Sequence, residues 1–333
     1  MNRKQTLSVV LCLLLGMGVL TLCRNTEPPA DASILAQASI QTETQQDFTY
    51  RCSEVPLERN GVSLHLDQVV AEETQAQRQI LLVHGLTYSS HEFDVDYQDY
   101  SLVRALAREG YGVWRLDIAG YGQSGPVEDG FLPDSDYAAE DIHAAVETIT
   151  EVTGEEKIDV LGWSWGTVTT GRFAAKYPEQ VNKLVLYAPI LSGLGELEVE
   201  EPFHHNDWDH AAGDFQRRPS GDFDTTVTDP VVIELLCSSS WHYDGEFSPN
   251  GGRRDLCVDQ KETLIDLTRI QAPTLVICGD RDPYLNYEQV DACLDKLPEG
   301  SAYEKIPGGS HVVFLEEPYH VDFQNRLLKF LNE

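Results

Sequence analysis

Lysine is the scarcest charged residue in this chain. Its 333 residues hold eight Lys, and Lys and Arg together number 24 against 55 Asp and Glu, a formal charge of −31. So few cations exclude a nucleic-acid partner, because such a surface repels phosphate backbones. Anionic membrane surfaces are excluded too, except through a leader or a lipid anchor. Many acids with few Lys fit a protein made for saline water, and equally a merely soluble acidic surface. Long apolar runs are also lacking: a single stretch, Leu7 to Cys23, is free of charge for seventeen residues, which excludes a multi-span membrane protein. No Gly-rich phosphate loop is present, since the Gly120/Gly122 turn is not followed by Lys-Ser/Thr, and no cofactor is expected. Internal repeats are absent. With 41% hydrophobic and 24% charged residues, the remainder is globular.

Residues 1–23 read as an export signal, with Arg3 and Lys4 before the apolar run. Leu20-Thr21-Leu22-Cys23 is similar to a bacterial lipoprotein box, in which Cys23 would be acylated, although Leu22 stands where a small residue is usual. Ala36-Gln37-Ala38 offers a small-residue cleavage site far from the apolar run. A lipoprotein, a simply secreted protein and an uncleaved anchor all remain open, and each places the chain outside the cytoplasm: secreted, periplasmic or membrane-anchored. Residues 24–47 are polar, contain Pro28 and Pro29, and are expected to form a flexible tether. Beyond Cys12 and Cys23 five cysteines remain, an odd count. Cys278 sits in an apolar strand pattern and is expected to be a buried thiol. A Cys237–Cys257 bridge around one Gly-, Ser- and Trp-rich loop would suit an oxidising compartment.

From residue 48 a hairpin across Gly61 gives way to alternating strands and helices. Strands are expected at Gln79–Val83, Gly112–Leu116, Lys157–Leu161, Leu184–Tyr187, Thr274–Ile277 and Tyr303–Ile306. Helices are expected at Tyr100–Arg108, Asp136–Thr153, Thr167–Tyr177 and Val321–Leu331. This pattern predicts an α/β fold, a mostly parallel sheet with helices on both faces, built from residues 48–190 and 271–333. The alternation breaks over residues 191–270, which hold 17 acidic and six basic residues. They are read as an inserted acidic cap over the carboxyl ends of the strands.

Gly162-Trp163-Ser164-Trp165-Gly166 follows a strand and opens a helix. A turn that sharp needs glycines, pushes the Ser164 hydroxyl out of the sheet and leaves the Trp165 N–H free to donate. A serine hydroxyl needs a base. His311, in Pro307-Gly308-Gly309-Ser310-His311, lies in a loop able to reach sideways to the serine. Cys278-Gly279-Asp280-Arg281-Asp282-Pro283 follows a strand, and Asp282 is the acid expected to orient the base, with Asp280 structural. An oxyanion needs two donors, the Trp165 N–H and the Leu86 N–H of Val83-His84-Gly85-Leu86-Thr87. His84 is expected to be bonded within its loop. Trp163 and Tyr88 are candidates for contact with substrate. His204-His205-Asn206-Asp207-Trp208-Asp209-His210 has metal-like composition but no partner cluster, so it is read as a solvated polar segment and no metal is expected.

In this order the motifs, with Asp117-Ile118-Ala119-Gly120-Tyr121-Gly122-Gln123-Ser124 between them, resemble the serine-nucleophile α/β-hydrolase superfamily, in particular its esterase, lipase and lysophospholipase-like members. The resemblance covers residues 55–331 apart from the cap. It implies an acyl-enzyme on Ser164, released by water, and a small-molecule ester as substrate. Relatives that open epoxides or remove halides carry Asp at the elbow, where this chain has Ser164. Tryptophan on both sides of the serine departs from the usual pattern: the rings would narrow the acyl site, stack on substrate or pack under the cap. An aminopeptidase-type amide hydrolase and a non-catalytic binding protein of the same fold remain alternatives. Oligomeric state is not legible.

Overall fold

The computed structural model describes residues 39–45, as backbone, together with 48–74 and 76–333. The leader, Cys23 and the first part of the expected tether lie outside these residues. Among the described residues there are thirteen strands: β1 (Ser39–Gln45), β2 (Phe48–Glu54), β3 (Leu57–Arg59), β4 (Val62–Leu64), β5 (Leu66–Ala71), β6 (Arg78–Val83), β7 (Tyr111–Leu116), β8 (Ile158–Trp163), β9 (Val181–Tyr187), β10 (Phe203–His205), β11 (Phe247–Pro249), β12 (Thr274–Gly279) and β13 (Ala302–Ile306). Nine form one sheet in the order β1-β2-β5-β7-β6-β8-β9-β12-β13. The five contacts from β7 through β13 are parallel, and the three at the β1 end are antiparallel.

The central strands β6, β8 and β12 are buried along nearly their whole length, as largely apolar strands must be when helices cover both faces. Helices α1 (Leu102–Arg108) and α8 (Tyr319–Asn332) send Leu102, Val103, Leu106, Phe323 and Leu327 into one core cluster. Helices α2 (Ser135–Thr153) and α3 (Trp165–Lys176) send Ala138, Ile142, Ile149, Val168 and Phe173 into the other. The cap of α2 is Asp134. Its carboxylate accepts from the Asp136 and Tyr137 N–H groups, while the Ser135 hydroxyl accepts from the Trp165 indole. Gly154, with φ 78°, ends the helix.

Three expectations need correction. Residues 39–45, read as tether, form a strand along β2, from Ser39 opposite Glu54 to Gln45 opposite Phe48. A polar edge strand is held by backbone hydrogen bonds to one neighbour and needs no apolar core of its own. The hairpin expected across Gly61 is short and ends at His65: β4 pairs with β3 across Asn60 and Gly61, both at positive φ, and β5 joins the sheet between β2 and β7. Cys237 and Cys257 are both free thiols. Cys237 is buried in the cluster holding Trp163 and Phe314, whereas Cys257 is half-buried and belongs to neither core cluster.

Between β9 and β12 the chain adds no strand to the sheet. It forms the β10/β11 pair and the helices α4 (Trp208–Ala211), α5 (Pro230–Tyr243) and α6 (Gly251–Leu256). The last helix before α8 is the short α7 (Tyr287–Asp291), after β12.

Candidate active site

Ser164 stands between β8 and α3 at φ 56° and ψ −120°, a conformation that costs free energy for any residue with a side chain. Its neighbours permit it. A side chain on Gly166 would come within 2.5 Å of the Val83 carbonyl, and one on Gly162 would overlap the Gly166 carbonyl. Although Ser164 occupies the N-cap of α3, its hydroxyl does not cap the helix. The Ser164 N–H donates to the Tyr187 carbonyl, and the Thr167 hydroxyl donates to the Ser164 carbonyl. The turn is fixed through the backbone and the hydroxyl is left for other work.

His311 lies in the loop between β13 and α8. Its Nδ1 donates to Asp282 Oδ2 at 2.7 Å, with both side chains almost fully buried. Burial alone would push the His311 pKa down. The Asp282 carboxylate and its hydrogen bond outweigh that, and Asp214 adds to them, so the net shift is upward. Asp282 is itself held: its Oδ1 accepts from the Tyr284 N–H, and its own N–H donates to the Tyr287 hydroxyl. The His311 carbonyl accepts from the Tyr187 hydroxyl and the Trp163 indole. Next to it, Ser310 donates through both N–H and hydroxyl to the buried Glu316 carboxyl. Asp280 accepts from the Gly308 N–H, bonding the histidine loop.

His84 is fully buried, and its Nε2 accepts from the Ile118 N–H. Nδ1 therefore carries the proton and donates to the Gly85 carbonyl, and burial pushes the ring toward neutrality. Asp117 joins the same loops, accepting from the N–H and hydroxyl of Ser90 and from the Gln123 N–H. These bonds shape the turn that carries Leu86 beside the serine. The Trp165 N–H is in the first turn of α3, where no intrahelical acceptor exists.

Ser164, His311, Leu86, Tyr88 and Trp163 line one cavity of about 30 Å³. Glu92 and Val312 close it from the core, and His210, Ala211, Asp214 and Leu236 close it from the segment between β9 and β12. The two tryptophans differ. Trp163 forms part of the wall, but it is 3% exposed and packs on Tyr187, Phe314 and the His311 ring. Trp165 turns the other way: its ring lies under α6, where a side chain on Gly252 would strike it. Tyr88 is buried against His210. His204 and His210 stand side by side, Nε2 to Nδ1 2.8 Å. Burial and then Arg253 push both pKa values down, that of His204 to about 4. No group of three or more His, Cys, Asp or Glu able to hold a metal ion occurs among the described residues.

Glu92, Asp214 and Tyr284 are site residues that the sequence reading missed. None belongs to a motif, and all three arrive from segments far from the elbow in the chain. Residues 79–318 match the α/β hydrolase fold family, and the chain belongs to it. It is 29% identical over 271 residues, 77% of its length and 92% of the relative's, to a Synechocystis protein named "Putative non-heme chloroperoxidase". It is 25% identical to human "Serine hydrolase BPHL", over 77% of this chain and 79% of that one. The naproxen esterase of Bacillus subtilis superposes with a TM-score of 0.58 at 20% identity, covering 84% of this chain and 92% of the esterase.

Proposed function

We propose that the chain is an exported serine hydrolase that cleaves carboxylic esters through an acyl-enzyme on Ser164. One observation carries this reading: a buried His311–Asp282 pair, 2.7 Å apart, shares a cavity with an elbow serine whose hydroxyl is not used for capping. Relatives named as a carboxylesterase and as a serine hydrolase support it. His311 Nε2 takes the hydroxyl proton as Ser164 Oγ bonds to the acyl carbon. Asp282 holds Nδ1–H in place and stabilises the imidazolium. Negative charge on the former carbonyl oxygen meets the N–H groups of Trp165 and Leu86. His311 then protonates the departing alkoxide, and water repeats the sequence in reverse roles to release the acid.

The test is turnover of a short-chain nitrophenyl ester together with labelling by a fluorophosphonate. Ser164→Ala is expected to abolish labelling and lower kcat by roughly four or more orders of magnitude, since the three residues act as a unit. Wild-type turnover by that variant would refute the mechanism. Faster cleavage of aminoacyl naphthylamides than of esters would make the enzyme an amidase. Export is tested by the mass of the mature N-terminus in the expressing cell. A full-length, unprocessed and soluble chain would refute it.

A further inference from the structure

Glu92 has no part in the steps above. It sits in the turn Ser90–Phe93 that follows β6, is 3% exposed, and lines the cavity that holds Ser164 and His311. Its Oε2 is buried without a hydrogen-bond partner. Buried polar groups are nearly always paired, and one left open in a cavity calls for a ligand.

The neighbouring carboxylates are all occupied. Asp244 accepts from the Ser89 and Gly122 N–H groups and from His91. Asp214 accepts from the Tyr284 hydroxyl, and Asp282 from His311 and the Tyr284 N–H. No Lys or Arg lines the cavity. The nearby Arg253 is committed to Asn250 Oδ1 and Thr87 Oγ1, and His204 and His210 are held toward neutrality. Burial raises the Glu92 pKa, and the charges of Asp244 and Asp214 raise it further. In the free protein these influences hold the Glu92 carboxyl in its neutral form, beside the charges of Asp244 and Asp214. A neutral hydroxyl ligand would supply a hydrogen bond but leave those charges uncompensated; a cation supplies both.

We infer that Glu92 receives a substrate ammonium group attached within a bond or two of the ester carbonyl, so that esters of small α-amino acids are the preferred substrates. The inference rests on the ester reading and narrows it. As the ammonium enters, the Glu92 carboxyl gives its proton to solvent and pairs as a carboxylate. The size of the cavity supports a short acyl group: about 30 Å³ has room for one or two waters, so anything beside Ser164 lies close to Glu92.

The experiment compares alanine benzyl ester with benzyl isobutyrate, in which a methyl group stands where the ammonium was. Equilibrium binding is measured on the full Ser164→Ala protein, and turnover on the intact enzyme. The ammonium ester is expected to bind at least about tenfold tighter than its uncharged partner, as a charge-assisted contact should. Adding Glu92→Gln is expected to bring the ratio close to one. A ratio of one before that substitution, or a ratio that Glu92→Gln leaves unchanged, overturns the inference. Should Glu92→Gln fail to fold, the ratio on the intact enzyme decides, since it needs no change at Glu92. Turnover of both esters without preference sinks this inference alone. Ammonium-selective binding without turnover of either sinks the ester reading and leaves the subsite standing.

Discussion

His311 takes its properties from three directions. Asp282 fixes Nδ1, Trp163 and Tyr187 hold the backbone carbonyl, and Asp214 contributes charge from the segment above. The net upward shift sets the sign of two pH effects. Only neutral imidazole accepts the serine proton, so kcat/KM should rise with pH through a value above the ordinary one of about 6.5. The stability that His311 contributes through its ion pair has the opposite course: it is fully present below the unfolded pKa and lost as pH rises through the folded one. Asp214→Asn removes one of the raising charges. Its kcat/KM profile should move to lower pH by a fraction of a unit. A profile that stays in place would show that Asp214 does not act on His311.

At the scale of elements, the contact between sheet loops and the inserted segment is held by Asp244, at the end of α5. Its carboxylate accepts from Ser89, Gly122 and His91 Nε2, and His91 Nδ1 accepts from the Ser239 hydroxyl within α5 at 2.8 Å. The string Ser239, His91, Asp244 has the composition of a triad with the ring nitrogens exchanged, and Ser239 lies within a helix instead of at an elbow. It works as a latch. Asp244→Ala strands three donors, those of Ser89 and His91 on buried residues, and should cost about 2–5 kcal/mol by chemical denaturation, with earlier proteolysis inside residues 191–270. A loss under about 0.5 kcal/mol would show that the segment is held elsewhere. None of these residues is adjacent in the chain, so no local pattern announced the latch. The nearby elements were legible: the helix expected at Asp136–Thr153 occupies Ser135–Thr153, and the strand expected at Thr274–Ile277 occupies Thr274–Gly279. Apolar periodicity and glycine stops act over a few residues, and a single sequence carries them.

Over the whole molecule the charge is −31, with 55 acids against 24 Lys and Arg. Buried carboxylates such as Asp67 and Asp141 are paired with Arg115 and Arg59. Surface repulsion of one sign is screened beyond about 10 Å at 0.1 M salt. Raising sodium chloride from low concentration toward about 0.5 M should lift Tm by a few degrees and lower the apparent pKa of kcat/KM. A Tm that falls or stays constant would mean that self-repulsion does not limit stability. A pKa unmoved by salt would mean that only buried neighbours govern His311.

The sequence alone determined what depends on adjacent residues. Gly162, Ser164 and Gly166 specify an elbow because that turn admits nothing larger at its two ends. The loops after β12 and β13 carry Asp282 and His311 at the carboxyl edge because each directly follows a strand of the sheet. Tertiary structure decided what depends on distance across the fold. It turned Trp163 toward His311 and Trp165 toward α6, buried Cys237 while leaving Cys257 half-exposed, and enclosed Glu92 without a partner. A lone glutamate after Ser90-His91 looks the same in sequence whether it faces water or a catalytic cavity. The packing of residues 208–243 over the β6 loop removes water from it, and the desolvation that follows makes it a candidate for recognition.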